Sequence, residues 1–375
     1  MSLSDYISYQ LDWTQHNILV DLQQGRNCLL HGFYDNLLVK VREILCRDKH
    51  VALATMGGAM GDPYMTVHRV FGFGKEEIEL LEKKDIRSFE ERIKFQFRKK
   101  KKDREELQRI DILLLDNISL LTLKMLKAMM ITARVYRNQH RSFFGGIIVL
   151  FAGDFRLSTQ EELVFKSSTW EHLFQCHYSL YMPLRRCFPL TDVLTHLSLN
   201  SLREKHFTSL HERVIDGSPM DPEILPRAKR VFQSNRLVME YHQRLLASKG
   251  QKDFFVGAKV KLKSGQQECA HIKSMICDQV VLEKENGEFL ETTKDDIRLF
   301  EARTISSLFA ETKSLSNIFY LPSKRVSDFY LVLSKVSTLE DFSVPFLPKS
   351  LNHSKEVMDY INLLFKKREK TKYLE

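Results

Sequence analysis

Residues 11–26 read as a helix, and "NCLLHG" follows as a short buried strand closed by Gly32. In "NLLVKVREILCRD", Leu37, Leu38, Val41, Ile44 and Leu45 fall at helical spacing, with Asp35 or Asn36 as the cap. "HVALAT", 50–55, is a second short apolar strand. Residues 75–110 are charged and predicted helical. "IDILLLDN", 110–117, and "GGIIVLFAGD", 145–154, are unbroken apolar runs that each end in an acid, with a helical segment at 120–137 between them. Such runs suit strands buried on both faces, and their alternation with helices predicts a parallel α/β sheet.

The texture changes near residue 255. "FFVGAKVKLKSG" and "DQVVLEKENGEFLETT" alternate apolar and polar positions around Gly and Asn-Gly turns, which predicts a small antiparallel unit to about residue 300. The remainder returns to mixed α/β, with "DFYLVLS" as a strand and 353–369 as a closing helix.

Composition adds boundaries. The 375 residues suffice for two or three domains, and 43% apolar with 28% charged residues is ordinary for a soluble chain. No apolar run nears the ~20 residues of a membrane span, and the first residues lack a secretory pattern, so an intracellular protein without membrane association is expected. Six cysteines without a CxxC pair read as reduced thiols, with no zinc site expected. Net charge is +9, and its densest cluster, "FRKKKKDRE" from Phe97, is either a solvated face or a phosphate-backbone contact.

The order of motifs resembles the Pif family of superfamily-one DNA helicases. "LDWTQHNILVDLQQGRNCLLHG" is similar to the family's entry, which puts Gln15 on an adenine-reading glutamine; alone it would be an exposed helix residue. In register with Gly32, the phosphate loop's second glycine, lysine and Ser/Thr become Leu37, Leu38 and Val39. "TVHRVFGFG" resembles a stretch that touches single-stranded DNA in the family, which nominates Thr66 and His68; local packing is the alternative. In "LLLDNISLL", Asp116 matches the magnesium aspartate and Asn117 replaces the general-base glutamate. "FFGGIIVLFAGDFRL" keeps Asp154, but Leu157 stands where the γ-phosphate sensor glutamine belongs. Arg185 and Lys335 fall on two γ-phosphate arginines, and Lys313 and Ser314 on a DNA-contacting motif.

The resemblance implies two RecA-like parallel-sheet domains with a small β-barrel inserted in the second. The first would span 1–175, the second 176–255 and 300–375, and the barrel 256–299. The losses concentrate on residues that handle ATP, and phosphoryl transfer depends almost wholly on such positioning and charge. The leading expectation is therefore a helicase homologue of DNA maintenance without ATPase activity or cofactor. It would bind single-stranded or forked DNA, or an unknown protein partner, and family habit would place it in the nucleus. The alternatives are an active, divergent 5′-to-3′ helicase using ATP and magnesium, with Asp116 as metal ligand, or a scaffold binding neither ATP nor DNA.

Overall fold

The computed structural model describes residues 13–372 except 33–36, 57–63, 83–85, 100, 159–161, 181–187, 252–253, 255–257, 263–268, 277, 285–287, 300–301, 305–306, 309–314 and 324. The chain divides into two compact units, Met1–Arg185 with His353–Glu375, and Arg186–Asn352.

The first unit is built on six parallel strands: β1 (Cys28–Gly32), β2 (Val51–Thr55), β3 (Met65–Thr66), β4 (Ile112–Asp116), β5 (Ile148–Gly153) and β6 (Cys176–Leu180), in the order β3-β2-β4-β5-β1-β6. β1 and β4 are buried at every position, as unbroken apolar runs require when helices cover both faces. On one face, α1 (Trp13–Gln23) and α2 (Leu37–Leu45) pack over Leu30, Leu53, Leu114 and Leu150. The other face carries the larger core. It takes in α3 (Val67–Phe71), α4 (Lys75–Glu82), α5 (Ile86–Lys99), α6 (Lys101–Arg109), α7 (Leu123–Arg137) and α8 (Ser168–Leu173).

The second unit holds a four-stranded parallel sheet, with α9 (Phe188–Ser198) and α10 (Glu204–His211) before it. Its strands are β7 (Lys229–Phe232), β13 (Ala302–Thr304), β14 (Ile318–Tyr320) and β15 (Phe342–Ser343), in the order β13-β7-β14-β15. α11 (Asn235–Ser248) follows β7 and packs on its Phe232 through Tyr241. Between β7 and β13 lies an antiparallel sheet of β8 (Lys259–Leu262), β9 (Cys269–Ile276), β10 (Gln279–Lys284), β11 (Phe289–Thr293) and β12 (Ile297–Leu299), in the order β11-β10-β9-β8-β12. It buries its own small core of Val260, Ile272, Val280, Leu282 and Ile297. The α/β architecture with two parallel sheets agrees with the sequence, and the expected barrel segment is this five-stranded sheet among the described residues.

Three expectations need correction. "DFYLVLS" is helix α12 (Val326–Lys335), not a strand. Every residue from Ser327 to Ser334 is buried, and a short, mostly apolar run of that kind fits helix and strand alike. The closing helix α13 (Lys355–Lys372) was expected with residues 300–375 in the second domain. It packs instead in the first unit, where Val357, Ile361 and Leu364 complete the larger core. Likewise the first unit runs to Arg185, where the sequence set the boundary at 175.

Candidate functional site

A parallel sheet with flanking helices presents ligand chemistry at the carboxyl ends of its strands. Here those ends bear Gly32, Asp116 and Asp154. The structure brings these predicted residues to one edge, together with Leu37, Leu38 and Val39 at the start of α2.

Gly32 has φ +108°, and a Cβ there would lie 1.9 Å from the Leu180 carbonyl oxygen. It is paired with Leu180 in the β1–β6 ladder. The close approach of β6 therefore demands glycine here whether or not a phosphate ever binds. Leu37 and Leu38 are 2% and 0% exposed and belong to the core that joins α1, α2 and the sheet, with Val39 packed at its margin. Asp35 and Asn36, the expected cap, lie outside the described residues.

Asp116 is buried at the end of β4. Asn117 adopts φ +60°, a left-handed conformation that asparagine tolerates. Its backbone N–H donates to Asp116 Oδ1 at 2.7 Å, and its side-chain amide donates to Thr55 Oγ1 at 3.1 Å. The amide thus ties β4 to β2. A glutamate here could not donate that bond, and the amide cannot take a proton from water. Burial, and then the charge of Asp116, push the Tyr64 hydroxyl well above its usual range.

At β5 the sequence missed the residue that matters most. Arg156, in "GDFRL", is fully buried and grips Asp154 with a hydrogen bond from Nε to Oδ1 and an ion-pair contact from Nη2 to Oδ2, both at 2.7 Å. Burial alone would raise the Asp154 carboxyl. The Arg156 guanidinium outweighs that and holds it far below the usual carboxylate range. His31 Nε2 accepts the Phe155 backbone N–H at 3.2 Å, so this nitrogen carries no proton and the ring is neutral. Its 3.4 Å contact with Asp154 is therefore no ion pair, in keeping with burial lowering the His31 pKa. Burial also holds His353, before α13, down at about 4, beside Asp154 and Arg156. Two signals pointed to this cluster: a histidine inside the apolar "CLLHG", and an arginine in an otherwise apolar turn.

The predicted DNA-contact stretch divides. Thr66 is the N-cap of α3, its Oγ1 accepting from the Arg69 N–H at 3.3 Å. His68 is exposed, edge-on to Phe73. It lines a cavity of about 1110 Å³ that also presents Arg42, Lys49, Arg69, Arg92 and Arg109. Arg92 is partnered by Glu76 and Glu77 at 3.4 Å each. Lys335 ends α12 in the second unit, where its carbonyl accepts from the Leu315 N–H at 2.7 Å. Arg185, Lys313 and Ser314, and the side chain of Gln15, lie outside the described residues.

Magnesium and a nucleoside triphosphate are the groups that this fold would imply. The donor set does not fit them: buried Leu38 and partly buried Val39, both apolar, stand at the loop lysine and Ser/Thr positions, and an amide replaces the base. Asp154 is taken up by an internal arginine.

Fold and site together define a RecA-like α/β lobe in which buried leucines and an internal ion pair stand at the carboxyl edge of the sheet. Comparison with known proteins agrees. The family described as PIF1-like helicase matches residues 85–183. The Pif1 helicase of Candida albicans superposes with a TM-score of 0.72 at 16% identity, over 95% of this chain and 99% of that one. The Bacteroides Pif1 helicase in complex with ADP-AlF3 and single-stranded DNA superposes with a TM-score of 0.69 at 15% identity, over 95% and 97%. No curated protein matches the chain.

Proposed function

We propose that this chain is a Pif1-like helicase homologue that binds single-stranded nucleic acid in DNA maintenance, in the nucleus, without turning over ATP. The observation that carries the reading is the burial of Leu37 and Leu38 in the core at the phosphate-loop positions. The Asn117–Thr55 and Arg156–Asp154 bonds support it, because each commits a nucleotide-edge residue to holding the sheet. The binding half rests on the fold shared with the Bacteroides protein that holds single-stranded DNA, and on the cationic cavity beside His68. Five Lys and Arg face three glutamates there, an excess suited to a phosphate backbone.

The test measures single-strand affinity by anisotropy across a salt series, together with ATP hydrolysis. Wild type is expected to bind with a steep salt slope and no hydrolysis. Arg69→Gln with Arg109→Gln is expected to flatten that slope by about 2. DNA-stimulated hydrolysis that Asp116→Ala abolishes overturns the ATPase-dead part. Binding unchanged in slope and affinity by the double variant overturns the cavity as the contact.

A further inference from the structure

The opposite end of the first sheet carries a second chemical cluster. Cys28 and Cys176 are the first residues of β1 and β6, paired directly in their parallel ladder. Both are buried and free, and both face the core under α1. Asp21 of α1 stands over them. The two sulfurs and a carboxylate oxygen all lie within 4.8 Å of one another. We propose that Asp21, Cys28 and Cys176 form a structural site for a divalent, thiophilic cation, with zinc the best fit.

Geometry is the first argument. Tetrahedral zinc, with Zn–S of about 2.3 Å and Zn–O of about 2.0 Å, needs neighbouring donors roughly 3.5–3.8 Å apart. Small side-chain adjustments reach that spacing from the present cluster. Charge is the second. Two thiolates and Asp21 carry three negative charges. Arg26, 2.5 Å from Asp21, supplies one positive charge and zinc two, so the loaded site is neutral. Binding releases the two thiol protons to solvent. Donor type is the third, since two sulfurs with one carboxylate favour zinc over copper(I), which prefers sulfur alone, and over magnesium, which prefers oxygen.

The surroundings supply the outer shell. The Tyr178 hydroxyl donates to Asp21 Oδ2 and fixes the carboxylate, as second-shell partners do at metal sites. Arg26 is 43% exposed at its side chain, which gives solvent a route to the cluster. The fourth position falls to water or to the Tyr178 oxygen. A second group with metal-ligand spacing, Asp192, His196 and His206, is chemically different. There His206 Nδ1 accepts the Arg203 N–H at 2.9 Å, so the proton sits on Nε2, the nitrogen 3.0 Å from Asp192. That nitrogen is unavailable to a neutral-imidazole metal bond.

The test uses the full chain, reduced, stripped with chelator and titrated with cobalt(II), then zinc. One equivalent of cobalt is expected to give a thiolate charge-transfer band and tetrahedral visible bands, both erased by zinc. Zinc is expected to raise the melting temperature by about 5–10 °C at hundredfold excess over Kd. Cys28→Ser and Cys176→Ser are expected to lose the bands and the shift, while Cys46→Ser keeps both. If the serine variants fail to fold, X-ray absorption of the zinc-loaded wild type decides: a shell of two sulfurs supports the site, and one without sulfur overturns it. No cobalt band in wild type, bands that survive both serine variants, or a Cys28–Cys176 disulfide in place of bound metal would each overturn it.

Discussion

Leu38 stands where a nucleotide-binding loop keeps its lysine, so substituting it separates packing from a vacant phosphate site. It is 0% exposed, inside a buried cluster with Leu30, Val41, Leu53 and Leu150. Truncating such a leucine to alanine costs the transfer of its side chain plus the cavity left behind, typically 2–5 kcal/mol. Taking about 3 kcal/mol, and 2–4 °C per kcal/mol for a unit of roughly 200 residues, Leu38→Ala is expected to lower the first unit's melting temperature by about 6–12 °C. Leu38→Lys is the sharper arm. In a packed core it buries an unpaired ammonium and costs at least as much as alanine. Beside an open phosphate site the same lysine would reach solvent and be tolerated. Urea unfolding with a probe in the first unit measures both. A cost below ~1 kcal/mol for alanine, with a neutral lysine variant, would refute the packing account.

Two further outcomes follow from the buried cluster at β5. Arg156→Met strands the Asp154 carboxylate and is expected to cost about 3–5 kcal/mol, whereas Arg156→Met with Asp154→Asn recovers much of it; equal losses in single and double variants would show that the pair is not coupled. His353 titrates near 4 in the folded chain against 6.5 unfolded, so the unfolded chain binds the extra proton between those values. Stability from this group is full above about pH 6.5 and declines as pH falls toward 4, by on the order of 3 kcal/mol in all. His353→Gln is expected to flatten urea midpoints across that window, and an unchanged pH profile would count against it.

Much of the first unit was legible in the sequence because its strands are unbroken apolar runs ending in acids, and such runs have few places to go but the centre of a parallel sheet. Leu37 and Leu38 were readable as packing for a related reason: they extend the period of Val41, Ile44 and Leu45. "DFYLVLS" was not, because a short apolar run of seven residues suits a buried helix and a buried strand equally well. Gly32 was legible as the end of its strand, but the need for glycine there was not, since its partner Leu180 lies far along the chain. The same distance hid Cys28 from Cys176, and with it a donor set that spacing rules for zinc never describe. Arg156 escaped notice because a charged residue after a strand normally points to water; only the fold shows it turned inward onto Asp154.

The return of α13 to the first unit has a consequence for how this protein is made. Tyr360 stacks on Phe165 at 4.0 Å and accepts the Trp170 indole N–H at 2.7 Å. Ile361 and Leu364 fill the core beside them. A nascent chain that has emerged only to residue 185 therefore holds all six strands but leaves a greasy hollow around Trp170. The hollow must wait while the whole of 186–352 is synthesised. The first unit closes its core only once Val357, Ile361 and Leu364 have been made. A stop codon anywhere before residue 353 would damage the far end of the molecule in sequence and the near one in space.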